Sequence, residues 1–385
     1  MRVTMLVRCL AMMRGGGETR HLNWMRELKA LGVEVDVITG QPLLFGGPRH
    51  PLAGDNVTVL RSPYLRDAVY RWQHTRGFGR LTMNALHWDE DWFCRAAWRR
   101  IAARTVRPDI VHAHALYQAA SVRPVNIPVV INFPGEPHPS YLPDIRKADA
   151  LVADGWAAEH LPAIIGKPVQ AVPKGVDAEL FRPSGANMRD ALGLGDRHVV
   201  LSVGRFVPIK NMALLIDALA QMAPADPSLH LVLVGEGPEL QSLKEQAARL
   251  GVTRAVTFAG YVPQTEMAPY YRTADLFALG SDFDNSPNVV LEAMACGLPV
   301  VATAVGGVAE YVTPGRGGDL VPRGDATAMA GVLGDWLSSA ERRRVAGAFN
   351  RQRIVQEFSW QASASRLLDV YRAVLQGRQQ MKASA

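Results

Sequence analysis

Ser281-Asp282-Phe283-Asp284-Asn285-Ser286-Pro287-Asn288-Val289-Val290-Leu291-Glu292-Ala293-Met294-Ala295-Cys296-Gly297-Leu298-Pro299-Val300-Val301-Ala302-Thr303 reads as a polar loop, a helix, a glycine stop and a buried strand. It also sets two carboxylates, Asp284 and Glu292, eight positions apart across the start of the helix. Backbone N–H groups at a helix N-terminus lack intrahelical partners, so they attract anions and hydroxyls. A carboxylate at the mouth and another about a turn into the helix can grip a polyol beside a phosphate.

Outward from this segment the same alternation recurs. In the second half, strands are expected at Val199–Val203, His230–Val234, Ala255–Ala259, Leu276–Leu279 and Val300–Thr303, with helices between them. In the first half, strands are expected at Met1–Val7, Val33–Thr39, Val57–Leu60, Asp109–His112, Val129–Phe133, Ala150–Ala153 and Gln170–Val172. A helix follows Gly15-Gly16-Gly17 and stops at Gly32, and Gly40–Asn56 reads as a loop. Apolar β-branched runs alternating with helical patterns point to α/β architecture with parallel sheets. Pro173–Gly195, rich in proline and glycine, reads as the connection between two strand series. The expected organisation is an N-terminal Rossmann-like domain over 1–176 and a C-terminal one over 177–358, facing a central cleft. A terminal helix crosses back from 359, and the tail to 385 frays.

Length and composition agree with this. At 385 residues, two domains are the prior. Apolar residues at 48% and charged residues at 20% exclude a disordered chain. Cys9, Cys94 and Cys296 are odd in number and lack metal-ligand spacing, which points to a reducing compartment. Arg8 interrupts the apolar start, so a buried first strand fits better than a signal peptide. No apolar run reaches the roughly 18–20 residues that span a bilayer. Net charge is +6, and the excess is concentrated between Arg61 and Arg107, where arginines alternate with aromatics. That stretch suits an anionic membrane surface or a lipid-linked acceptor; equally, its aromatics can pack inward beneath solvated arginines. Nucleic acid is not an expected partner.

Four further motifs carry chemistry. Ser202-Val203-Gly204-Arg205-Phe206-Val207-Pro208-Ile209-Lys210-Asn211 ends a strand in glycine and follows it with two cations that can hold a diphosphate. Arg14-Gly15-Gly16-Gly17 lets backbone approach a phosphate or sugar. Asp109-Ile110-Val111-His112-Ala113-His114 puts both histidines on one strand face. Phe258-Ala259-Gly260-Tyr261-Val262-Pro263 follows a strand as a loop.

Together these motifs resemble the retaining nucleotide-sugar glycosyltransferases of family 4, with the GT-B fold, from Met1 to about Leu375. The match is strongest at Asp284 to Glu292 and through Leu291–Val301. The resemblance implies that Arg205 and Lys210 stabilise the leaving diphosphate and that Glu292 binds the ribose. It implies that Asp284 and the backbone of Asn285, Ser286, Pro287, Asn288 and Val289 face the donor sugar. Gly16, Gly17 and Gly204 would approach the donor, Val262 would contact the base, and His114 would lie near the sugar. Asp284 and Lys174 depart from the usual Glu and Asn. The implied co-substrate is a nucleoside diphosphate sugar, with no metal or other cofactor, although Asp282-Phe283-Asp284 is formally a D-x-D. The acceptor would be a hydroxyl of a glycan, glycolipid or small molecule, and the implied location is cytoplasmic, with a peripheral position at the inner face of the membrane as one option. The competing readings are a non-catalytic GT-B scaffold, a GT-B epimerase or phosphorylase, and, from Gly235-Glu236-Gly237, a dehydrogenase lacking its third glycine.

Overall fold

A computed structural model of the chain describes residues 1–8, 10, 16–42, 56–62 and 79–383. The chain divides into two units: Met1–Pro173 with Ser363–Ala385, and Lys174–Ala362.

Among the described residues, the first unit holds a seven-stranded sheet in the order β3-β2-β1-β4-β5-β6-β7. Its strands are β1 (Arg2–Val7), β2 (Glu34–Pro42), β3 (Val57–Ser62), β4 (Ile110–His114), β5 (Val129–Asn132), β6 (Ala150–Ala153) and β7 (Gln170–Ala171). Every recorded pairing is parallel, with β1 flanked by β2 and β4. Helix α1 (Gly16–Ala30) links β1 to β2, and α2 (Gly79–Ala102) precedes β4. Helices α3 (Leu142–Ile145) and α4 (Gly155–Ile165) flank β6 in sequence.

The second unit holds a six-stranded parallel sheet in the order β10-β9-β8-β11-β12-β13. Its strands are β8 (His198–Val203), β9 (Leu229–Val234), β10 (Val256–Gly260), β11 (Leu276–Leu279), β12 (Val300–Thr303) and β13 (Gly318–Val321). Between and after them run α5 (Met212–Met222), α6 (Leu240–Arg249), α7 (Ala268–Tyr271), α8 (Asn288–Ala295), α9 (Val308–Tyr311), α10 (Ala326–Leu337) and α11 (Ala340–Glu357). Val199, Leu201, Val232, Val234, Phe277 and Leu279 pack into one core cluster, whereas Val200, Leu231, Leu233, Leu276, Ala278 and Val301 pack into another. Alternate residues of each strand therefore bury on opposite faces, which is why the strands read as unbroken apolar runs.

The opening segment folds as its sequence dictates. Pro287, extended at φ −74°, precedes α8, and Gly297 ends it in the left-handed region at φ 79°. Gly297 N–H donates to Met294 O and Leu298 N–H to Ala293 O, the paired bonds of a Schellman stop. Val290, Leu291, Ala293 and Met294 are buried, each large side chain contributing about 1.5–3 kcal/mol of burial.

Two elements were not expected from the sequence. Strand β13 has four residues and follows Gly315-Arg316-Gly317, so glycine masks its short apolar signal. Helix α2 occupies the C-terminal part of the basic, aromatic stretch. There Phe93 and Trp98 are buried, Arg95, Arg99 and Arg100 are exposed, and Trp88 is 55% exposed. Residues 63–78 of that stretch lie outside the described residues, as do Cys9 and most of the Gly40–Asn56 loop. Among the described residues, no helix is long and apolar enough to cross a membrane. The last helix, α12 (Trp360–Ala383), starts in the second unit and continues from Ser363 as part of the first.

Gly235 shows how tightly the β9 end is built. Its φ is 141°, and an added Cβ would lie 1.9 Å from Gly204 O. Gly235→Ala should therefore destabilise the protein by at least about 2 kcal/mol. The check is a urea titration, where the midpoint falls while the slope is kept; an unchanged midpoint would mean that the loop relaxes freely.

Candidate functional site

In both sheets the strand order reverses once, between β1 and β4 and between β8 and β11. Loops leaving the C-terminal ends of such a strand pair diverge to opposite faces, and the crevice between them is where ligands of open α/β sheets sit.

At the β8/β11 reversal, the chain leaves β8 through Gly204 and Arg205 and turns in a short 3-10 helix, Pro208–Lys210. Asn211 is held at φ 43°, and its side-chain oxygen accepts from Leu214 N–H at 3.2 Å, capping α5. The loop after β11 meets this turn. Asp282 N–H donates to Ile209 O, and an added Cβ on Gly280 would lie 2.8 Å from Asn211 O. The Lys210 ammonium forms an ion pair with the Asp284 carboxylate. Asp282 does not share that contact; it accepts from Asn211 Nδ2 at 3.2 Å and pairs with Arg323 at 3.1 Å. Arg205 is exposed, with no ion-pair partner among the described residues.

The loop that bears Asp284 is anchored from several sides. Gly307 N–H donates to Asp284 O, Lys174 Nζ donates to Ser286 O at 3.0 Å, and the Ser286 hydroxyl bonds that of Tyr311. Lys174, which departs from the Asn of the resembling family, thus braces the loop that bears Asp284. Pro287 offers α8 no side-chain cap, and Asn288 Oδ1 is buried without a partner among the described residues. One turn into α8, Glu292 is 5% exposed. Its Oε1 accepts from Gln264 Nε2 and its Oε2 from the Tyr271 hydroxyl, both at 2.8 Å. Burial pushes the Glu292 carboxyl up, and the two donors oppose that shift. Val262 lines a crevice of about 720 Å³ with Tyr261, Pro263, Arg182 and Arg272. Lys210 and Asp284 are thus in contact, whereas Glu292 faces Gln264 and Tyr271, two partners that local sequence gave no reason to name.

At the β1/β4 reversal, Gly16 and Gly17 open α1, and residues 11–15 before them lie outside the described residues. His114 ends β4, and its Nδ1 lies 2.8 Å from Asn132 Oδ1. His112 and His114 do share a face: their rings lie 5.6 Å and 4.3 Å from that of His21. His112 is fully buried, and its Nδ1 bonds the Tyr371 hydroxyl of α12 at 2.8 Å. In the buried ion pairs Arg8–Asp89 and Arg20–Asp154, Arg8 and Asp154 follow the C-terminal ends of β1 and β6. The sequence reading had singled out neither pair, and no spacing rule links residues 81 or 134 positions apart.

Residues 186–353 match the family described as glycosyl transferases group 1, and residues 15–165 match the glycosyl transferase 4-like domain. The chain is 31% identical to a D-inositol 3-phosphate glycosyltransferase of Acidothermus cellulolyticus, over 92% of this chain and 84% of that protein. It is 35% identical to a GDP-mannose-dependent alpha-(1-6)-phosphatidylinositol monomannoside mannosyltransferase of Mycolicibacterium smegmatis, over 55% of this chain and 58% of that one. The chain thus spans a little over half the length of that relative. Among solved structures, Anabaena HepE in complex with UDP superposes with a TM-score of 0.73 at 19% identity, over 97% of this chain and all of that one. Sucrose-phosphate synthase from Thermosynechococcus elongatus superposes with a TM-score of 0.74 at 22% identity, over the whole of both chains. At these identities the likeness shows the fold: two Rossmann-like units of the GT-B class.

Burial, reinforced by His114 and Arg20 nearby, pushes the His112 imidazole down from 6.5 to about 3. A group with a depressed folded value leaves the unfolded chain binding more protons between those values, so stability rises with pH there. The contribution of neutral His112 is therefore complete above about pH 6.5 and is lost as pH falls toward 3. His112→Gln should flatten the acid limb of a stability–pH profile between pH 6.5 and 4.5. Imidazole carbon shifts should keep His112 neutral at pH 5; protonation of His112 at that pH would contradict the assignment.

Proposed function

Because the chain belongs to the group 1 glycosyltransferases of family 4, we propose that it moves a hexosyl unit from a nucleoside diphosphate sugar to a hydroxyl acceptor, with retention at the anomeric carbon. The observation that carries this reading is the Lys210–Asp284 ion pair at the β8/β11 reversal, beside exposed Arg205 and the uncapped start of α8.

In this reading Arg205 and Lys210 hold the diphosphate. Lys210 exchanges its bond to Asp284 for the phosphate oxygens, which frees the carboxylate to accept from sugar hydroxyls. Negative charge on the diphosphate grows as the glycosidic bond breaks, so fixed cations there stabilise the transition state above the ground state. The backbone of Asn285–Val289 and the Gly204 turn holds the phosphate–sugar junction, Pro287 contributing no N–H. Glu292 accepts from the ribose hydroxyls. Each of its oxygens already takes one hydrogen bond and retains a second lone pair, so ribose binding leaves Gln264 and Tyr271 in place. Val262 offers backbone to the base. Gly16, Gly17 and His114 serve the sugar and acceptor side. No covalent nucleophile is invoked: the leaving phosphate takes the proton of the attacking hydroxyl as the new C–O bond forms on the face that the diphosphate leaves.

The named relatives carry phosphatidylinositol monomannoside and D-inositol 3-phosphate in their names, which supports a polyol or lipid-linked acceptor and, for a lipid, work at a membrane surface. Both aspartates of Asp282-Phe283-Asp284 are held by side chains of this chain, which favours metal-independent transfer.

Arg205→Ala and Lys210→Ala should each lower kcat by about 10²-fold or more while the melting temperature changes little. Turnover of UDP- and GDP-sugars, read as nucleotide release, checks this. Undiminished turnover in the double variant would remove the leaving-group role. Activity lost to EDTA and regained with manganese would overturn the metal-independent reading.

A further inference from the structure

The crevice at the β1/β4 reversal has a cavity of about 590 Å³ whose chemistry differs from that of its counterpart in the second unit. Arg8, Glu90, Tyr117, Glu136, His138 and Tyr141 line it. Glu90 projects from α2 and is 3% exposed. Its Oε1 accepts from Gln118 N–H at 2.8 Å, and Tyr141 lines the same cavity. Tyr141 is fixed by stacking on His87, ring centroids 3.9 Å apart at 5°. Ala115, also in the wall, is held at φ 48°, a conformation that costs a non-glycine residue about 1 kcal/mol or more. A strained backbone, a buried carboxyl and stacked aromatics converging on a cavity of ligand size are the marks of a built binding site.

We propose that this cavity is the acceptor subsite and that it selects a neutral polyhydroxylated ring over a phosphorylated one, with Glu90 and Tyr141 holding its hydroxyls. The inference rests on the glycosyltransferase reading and deepens it. Hydroxyls can donate to a carboxylate and accept from a phenol, so Glu90 and Tyr141 together satisfy a vicinal pair. Among the described residues, the charge balance disfavours a phosphate. The Arg8 guanidinium is matched by Asp89, while Glu90 and Glu136 contribute carboxyls that repel an anion. Burial, followed by smaller opposing effects of Gln118 N–H and Arg8, raises the Glu90 carboxyl from 4.5 to about 7, so the hydroxyls of a bound ring would meet a group near its midpoint.

Saturation-transfer NMR on the full chain with myo-inositol, methyl α-mannoside and D-inositol 3-phosphate tests this, alongside calorimetry with UDP and GDP. In the wild type, the neutral rings should bind more tightly than D-inositol 3-phosphate. Glu90→Gln should weaken them by about tenfold, as one charge-assisted hydrogen bond is replaced. Tyr141→Phe, which keeps the ring, should weaken them several-fold, and nucleotide affinity should stay unchanged in both variants. Equal polyol affinity in wild type and both variants, or tighter binding of D-inositol 3-phosphate, overturns the proposal. Absence of UDP and GDP binding in the wild type would instead sink the transferase reading, and the polyol comparison would still decide the cavity.

Discussion

A parallel sheet whose strand order reverses must leave a gap at the reversal, because the two central strands send their connections to opposite faces. This chain has two such reversals, β1/β4 and β8/β11, and its chemistry-bearing residues gather at both. Among the described residues, the non-glycine positions with positive φ are Ala115 and Asn211. The first follows β4 directly, and the second ends the turn that follows β8. Backbone strain thus sits where loops must diverge sharply, and the apolar layers on the sheet faces hold it in place. The elements farther out, such as β7 and β13, extend the sheet and can be short without disturbing either crevice.

Charge at these crevices is arranged in pairs whose partners are distant in sequence. Lys210 reaches Asp284 across 74 positions, Arg8 reaches Asp89 across 81, and Arg20 reaches Asp154 across 134. Removing a charge from water costs several kcal/mol, so a buried ion pair adds little net stability, whereas losing one partner is costly. The pairs are better understood as fixing geometry. Arg8–Asp89 ties the end of β1 to α2 and so places Glu90, the next residue, in the cavity wall. Arg20–Asp154 ties α1 to the end of β6, beside the histidine cluster. Lys210–Asp284 differs in being partly accessible, with side chains 21% and 14% exposed, so an incoming anion can compete for the lysine.

What the sequence revealed follows from the range of the interactions. Strands buried on both faces announce themselves as apolar runs, and the α8 stop is written locally in Gly297 and Leu298. The roles of Arg205, Lys210 and Asp284 were legible only as a resemblance, and spacing alone would not have brought Lys210 to Asp284. The partners of Glu292 were not legible: Tyr271 and Gln264 lie in a short helix and turn before β11, with only ordinary loop composition around them. Tyr371 meets His112 across 259 positions, through a helix whose pattern is merely amphipathic. Helix α2 was obscured for a different reason. Its arginines and aromatics suggested a surface, and the alternation of buried Phe93 and Trp98 with exposed Arg95 and Arg99 becomes plain only once the helix is seen.

Among the described residues, the side chains given roles at the two crevices also differ in charge, as the proposed transfer requires. The β8/β11 crevice offers Arg205, Lys210 and the start of α8, which suit a species that gains negative charge. The β1/β4 crevice offers Glu90, Tyr141 and Glu136, which suit a species that presents hydroxyls. If both carried cations, a phosphorylated acceptor and the donor would compete for the same kind of site. If both carried carboxyls, the leaving diphosphate would be destabilised. On the proposed reading, one topology used twice, with different side chains at its two reversals, would keep an anionic co-substrate and a neutral one from exchanging places.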